Sequence, residues 1–345
     1  MGADGMKFVL GTEQRDFARV LGRMLGAADT PAAVRAWARG DHGPGLAVWE
    51  RVARAGVFGL AVPEAFGGAG PLPAEVAVAF TELGRYAVPG PAVETVAVTA
   101  LLARLAAEGR TVLAQAWLPR VCEGGALVTA ALPGAPGGSP YALDADVCDA
   151  VFVVPAGTDD LFLAAGHGPV QPSLDPARWL AIPRCGAEPV ASGRAVREAA
   201  RHAADWAAFA AAAQLLGVGS ALLERTVAYV RQRRQFGTPV GAFQAVKHRL
   251  ADTRVGLEFA GPLVHGAAVA LSAGAPGAAA EVAAAKAAAS DAAYAAARAA
   301  LQLHGAIGYT AEHDLSLWLG KARALRSAWG SPAGCRARTL DIFRE

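Results

Sequence analysis

Residues 233–252 read RRQFGTPVGAFQAVKHRLAD, and the fold turns on how this stretch is read. A helical pattern runs into it from about Arg201 to Gln235, ends at Gly237, and gives way at Pro239 to a turn, after which a new helix opens near Ala242 with Phe243 and Gln244. A reversal this short makes the flanking helices antiparallel neighbours. Two more helical patterns follow, from about Ala275 to His304 and from Glu312 to Ala328, with Gly274 and Pro276 as punctuation. Four helices on short connections predict an up-and-down bundle. The third, AAAEVAAAKAAASDAAYAAARAALQ, has side chains small enough for close helix approach, which suits a bundle core or a subunit interface.

Working toward the N-terminus, the texture changes between about Gly125 and Glu188. Short apolar runs, 126–132, 150–155 and 160–165, alternate with Gly, Pro and Asp turns and predict a small β domain. Before it, from Thr12 to about Ala107, the pattern is helical again. TEQRDFARVLGRML puts Phe17, Val20, Leu21 and Leu25 on one face, and LAVWERVARAGVFGL repeats the pattern. The expected architecture is α with a small β insert: a helical domain over 1–121, a shortened β domain over 122–196 and a four-helix bundle over 197–345.

The 345 residues are 54% hydrophobic and 18% charged, with a mean hydropathy of +0.30, so a large core can be buried. A net charge of only +2 with interspersed signs excludes an electrostatic footprint for nucleic acid. Cys122, Cys148, Cys185 and Cys335 are widely separated, form no CxxC pair, and read as small buried thiols rather than zinc ligands or a disulfide framework. The first residues, MGADGMKFVLGTEQRDF, have neither a basic n-region nor a long apolar h-region, and charges interrupt the alanine-rich stretches. The expectation is a cytoplasmic protein with no membrane segment.

Two segments carry candidate chemistry. Around Arg233 and Arg234, with Gln235 and Phe236 beside them, guanidinium forks gather at one loop. They either clamp a pyrophosphate bidentately or complement the carbonyl end of a helix. The second segment, residues 301–314, reads LQLHGAIGYTAEHD. Gly305 and Gly308 stop the long helix there, and backbone amides freed at such a stop can meet a phosphate or an adenine edge. His304, His313 and Asp314 lie on both sides of the glycine break, not at chelating spacing on one helix, which argues against a metal site.

Together these segments resemble the acyl-CoA dehydrogenase family, whose C-terminal bundle carries R-x-x-F-G…F-Q and Q-x-x-G-G-x-G-Y/F-T. GLAVPEAFGGAG and TELGR resemble its first helical domain, so the likeness covers nearly the whole chain. The resemblance implies a flavoprotein with FAD as cofactor, which takes the α-hydrogen of an acyl-CoA as a proton and the β-hydrogen as a hydride. It also implies an electron-transfer flavoprotein type of acceptor. By motif match Arg233 reaches the FAD pyrophosphate, or Arg234 if the register slips by one. Gln235 and Phe236 lie on the adenosine side, and Gln302, Leu303, His304, Gly305 and Ala306 form a backbone shelf.

The likeness breaks in two places. The family's catalytic glutamate stands about 27 residues beyond the motif glutamine, and that position here is Trp329, which has no proton to exchange at neutral pH. The alternative family position, on the first bundle helix, is Ala207, with Asp205 two residues away; Glu312 and Asp314 are the other acids open as an unusual base. In the middle domain the T-E-P-x-A-G-S-D-like loop that contacts the flavin is ALPGAPGGSP, residues 131–140, without the Thr-Glu pair. Some bacterial members, including steroid side-chain dehydrogenases of actinobacteria, are heterotetramers that divide the base and the flavin site between subunit types. The chain resembles the base-less subunit of such an α2β2 assembly, with acyl-CoA held mainly by its paralogous partner.

Overall fold

The computed structural model describes residues 10–344; the reading of residues 1–9 as lacking leader features falls outside them. Six helices come first: α1 (Thr12–Gly26), α2 (Thr30–Ala38), α3 (Gly43–Arg54), α4 (Pro73–Arg85), α5 (Ala92–Ala107) and α6 (Val112–Cys122). In α1 the apolar stripe closes on Leu21 and Leu25, both fully buried, while Val20 stays half exposed at the edge. Helix α5, AVETVAVTALLARLAA, is apolar almost all round and correspondingly buried. Its single acid near the start, Glu94, is carried inside with it at 4% exposure.

The β domain follows. Strands β1 (Val128–Ala131), β3 (Ala150–Val153), β4 (Asp160–His167), β7 (Pro183–Cys185) and β8 (Ala191–Ser192) make one sheet. In it β1 and β3 run parallel, and β4 pairs antiparallel with β3, β7 and β8. A second sheet joins β2 (Ala142–Leu143), β6 (Trp179–Ala181) and β5 (Gln171–Pro172). Residues of β1 and β3 are buried on both faces, as the continuous apolar runs at those positions require. Ala131, Val151, Val153 and Ala181 form a small core of their own.

The C-terminal part is built on α7 (Arg194–Gln232), α8 (Gln244–Ser272), α9 (Ala278–His304), α10 (Leu315–Ser327) and α11 (Pro332–Ile342). Helix α7 starts at Arg194 rather than Arg201, because nothing after Gly193, whose φ is 94°, interrupts the ladder. It ends at Gln232, not at Gly237. Residues 233–239 form a hairpin in which β9 (Arg234–Gln235) pairs antiparallel with β10 (Thr238–Pro239). Phe236 and Gly237, at φ 52° and 79°, make the turn, the conformation a two-residue hairpin loop demands. Helix α11 is a fifth helix absent from the four-helix expectation. Ser331 caps it by accepting from the Gly334 N–H at 3.2 Å, and Pro332 occupies its first turn.

Helix α9 packs against α7, α8, α10 and α11, so the alanine helix is the bundle's centre. Helices α4 and α7 meet backbone to backbone: a Cβ on Gly84 would stand 2.0 Å from the Gln214 carbonyl oxygen, and one on Gly217 1.8 Å from that of Thr81. Two helices, α7 and α8, are long and apolar enough to cross a membrane. The apolar window of α7 is 89% buried in the core, and that of α8 is 28% buried. The four thiols are free, but only Cys335 is buried and Cys185 is exposed, which corrects the reading of all four as buried.

Candidate functional site

The two motif segments meet at one end of the bundle. The Tyr229 ring near the end of α7 stacks on His304 at the end of α9, centroids 4.2 Å apart, and its hydroxyl donates to the His304 carbonyl at 3.5 Å. From this end the hairpin projects outward. Arg233, Arg234 and Gln235 are exposed, and Phe236 is 93% exposed with its edge toward Phe243. Gln302, Gly305 and Ala306 are also exposed, and Gly305, at φ 67°, ends α9 with open space where a Cβ would stand. Leu303 is half-buried.

His304 differs from its neighbours. Its ring is buried, pairs through Nδ1 with the Ala300 carbonyl at 2.8 Å, and has its pKa pulled down by burial. Its Nδ1 is thus taken up by the helix backbone. Among the described residues no cluster of three or more His, Cys, Asp or Glu could hold a metal ion.

Trp329 lies at the other end of α10, in the break between α10 and α11. The 13 residues of that helix separate it from the motif end by about 20 Å at 1.5 Å per residue. Its φ is 55°, and its indole N–H donates to Glu94 Oε1 at 3.2 Å. Arg178, in the loop before β6, approaches the same oxygen at 3.4 Å. One buried carboxylate thus ties the N-terminal helices, the β domain and the bundle together. Loop 131–140 closes the other side, since a Cβ on Gly137 would stand 2.7 Å from the Gly330 nitrogen. The two departures read from the sequence, Trp329 and the altered loop, therefore line one cavity of about 440 Å³, together with Glu94 and Arg178.

The turn bearing Trp329 is held from beneath by Lys286 of α9, which is fully buried. Its Nζ donates to the carbonyls of Leu325 (3.1 Å), Arg326 (3.3 Å) and Gly330 (2.9 Å) and to Ser290 Oγ (3.0 Å). Burial pulls this ammonium down to about 8. A neighbouring acid, Asp144, is pushed up to about 7 by burial, against the Trp179 backbone N–H, the Arg178 charge and the Trp37 indole.

None of the acids considered as an unusual base lines the cavity. Asp205 is paired with Arg338 at 2.5 Å, Asp314 is paired with Arg35 at 2.7 Å near the start of α10, and Glu312 is exposed beside it. Ala207 is fully buried and carries no functional group. Sequence reading missed Glu94, Arg178, Lys286 and Asp144. For the first, the available signal was an acid among apolar residues in the first turns of α5, AVETVAVTALL.

A helical domain, a small β domain and a long helical bundle with these two motif segments define a class: the flavoproteins that act on acyl thioesters. The chain belongs to the acyl-CoA dehydrogenase family, matching its N-terminal domain over residues 11–125 and its C-terminal domain over residues 197–334. The cofactor of this family is FAD. The chain is 35% identical over 305 residues to the acyl-CoA dehydrogenase IpdE2 of Mycobacterium tuberculosis, covering 88% of each. Among solved structures it is similar to the steroid enzyme Tcur3481-Tcur3483 in its G363A variant, with TM-score 0.83 and 26% identity over 97% of this chain and 99% of that one. The ChsE4-ChsE5 complex from Mycobacterium tuberculosis shares the fold, with TM-score 0.81 and 24% identity over 99% of both chains.

Proposed function

We propose that this chain is the base-less subunit of a heteromeric, α2β2 FAD-dependent acyl-CoA dehydrogenase. The carrying observation is the division of the site. Exposed cofactor-motif residues occupy one end of the bundle, and at the other end the base position holds a tryptophan hydrogen-bonded to a buried glutamate. FAD, when bound, supplies the hydride acceptor. The residues present fit one part of that group: the guanidinium of Arg233, or of Arg234, suits its pyrophosphate, Gln235 and Phe236 its adenosine, and the backbone of 302–306 an adjoining shelf. Because these groups are exposed and do not line the chain's own cavity, they serve a cofactor whose ring sits in a paralogous partner. The partner contributes the carboxylate and holds most of the acyl-CoA. A stripe of exposed apolar residues on α8, Val255, Phe259 and Leu263, supports such pairing. Likeness to the steroid enzymes favours a bulky, steroid-type acyl thioester and an electron-transfer flavoprotein as acceptor.

Co-expression with a paralogue that has the missing glutamate tests this. The expected product is a yellow heterotetramer that desaturates an acyl-CoA, while the chain alone is colourless and inactive. Arg233→Ala lowers the flavin content of the complex, and Trp329→Phe leaves turnover nearly unchanged. A yellow, active homotetramer of this chain overturns the proposal.

A further inference from the structure

The cavity beside Trp329 has polar demands that the protein itself does not meet. Arg178 is nine-tenths buried, yet among the described residues its side chain makes one hydrogen bond, to Glu94 Oε1 at 3.4 Å. A guanidinium has five N–H donors, and the rest of this one lies on the cavity wall. A buried arginine with spare donors is matched by a planar anion that can take two of them side by side. Glu94, also on the wall, has the opposite need: its Oε2 is buried with no donor. The terminal torsion of a glutamate is soft, so a small rotation brings this oxygen to the cavity. Arg323, exposed at the rim, adds a second positive charge, so the charged lining sums to one net positive. Tyr141 and Ser173 add hydroxyls.

An occupant that satisfies all of this has net negative charge, a carboxylate, and a neutral donor a few bonds away. We propose that the cavity binds a hydroxycarboxylate group, with its carboxylate on Arg178 and its hydroxyl donating to Glu94. Glu94 accepts here, its other oxygen being held by the Trp329 indole N–H and the Arg178 guanidinium. The inference rests on the cavity alone and is independent of whether the far end of the chain serves a flavin. The group can belong to a free hydroxy acid or to the acyl part of a thioester.

Calorimetric titration of the full chain, with whatever partner it purifies with, supplies the test. The probes are 3-hydroxy-3-methylglutarate, the same acid without its hydroxyl (3-methylglutarate), and 3-hydroxy-3-methylglutaryl-CoA. The hydroxy acid is expected to bind at least tenfold more tightly than its deoxy analogue, the loss expected when a buried acceptor goes unpaired. Arg178→Met removes binding. Glu94→Met abolishes the preference for the hydroxyl but keeps carboxylate binding, because Arg178 then loses the one carboxylate it hydrogen-bonds. Arg323→Ala, at the exposed rim, weakens binding severalfold and serves where a buried variant fails to fold. Displacement of the free acid by the thioester assigns the group to an acyl-CoA, and binding of the free acid alone assigns it to the acid. No binding by the wild-type chain, or binding unchanged by Arg178→Met and Arg323→Ala, overturns the proposal. Flavin content of the same samples reports separately on the subunit reading.

Discussion

Trp329 cannot exchange a proton, but it has a definite task in its place: its indole satisfies one oxygen of a glutamate that α5 carries into the interior. Trp329→Phe keeps the ring and removes that donor. We expect it to lower unfolding stability by about 1–3 kcal/mol, the usual cost of stranding a buried acceptor, as measured by urea denaturation. Nearby, Asp144 carries a sharper signature. Burial raises its pKa from 3.8 to about 7, so in the fold it holds a proton that the unfolded chain has lost. The stability it contributes is complete below about pH 4 and declines as pH rises through 7. Asn can accept the same N–H groups and tolerates the φ of 50° at this position. Asp144→Asn is therefore expected to raise Tm at pH 8, with the gain shrinking toward pH 5. Thermal scans across that range check the sign.

At the scale of elements, the decisive feature is the break between α10 and α11. The last carbonyls of a helix have no partner within it. Here Lys286 reaches across from α9 to meet those of Leu325 and Arg326 and then the Gly330 carbonyl beyond the turn. A cation at a helix C-terminus also suits the dipole. One side chain thereby sets the position of Trp329. Lys286→Met fills the same volume but leaves three carbonyls unanswered. We expect a loss of roughly 3–5 kcal/mol, read from chemical unfolding, and a weaker hold on the turn seen as faster hydrogen exchange at residues 328–331.

For the whole molecule, the informative quantity is what remains uncovered. Val255, Phe259 and Leu263 recur every four residues along α8, and Phe236 and Ile307 lie bare at the motif end. Within this surface Arg254 pairs with Glu258 at 2.5 Å. Phe259 is 75% exposed, so changing it to Asp leaves the fold of the chain intact and places a charge in the middle of the stripe. The expected outcome is a shift from the assembled complex to single chains in size-exclusion chromatography, with the helical circular dichroism unchanged.

Periodicity and punctuation in the sequence were enough for the α, β, α order, the bundle and the strand runs, because these depend on local spacing and on which face is apolar. The two motif segments, and a tryptophan at 329 where the resemblance expects a carboxylate, could be read for the same reason, as short strings at fixed separation. The extra helix α11 was legible in principle from Ser331 and Pro332. Tertiary structure alone decided the rest. Residues 94, 178 and 329 meet because three separately folded regions bring them together, and no spacing along a chain encodes such a meeting. Likewise a lysine in an alanine helix reads as a surface charge until the fold shows it turned inward toward a helix end. Charge burial is a property of the packed molecule, and the chemistry of this cavity follows from it.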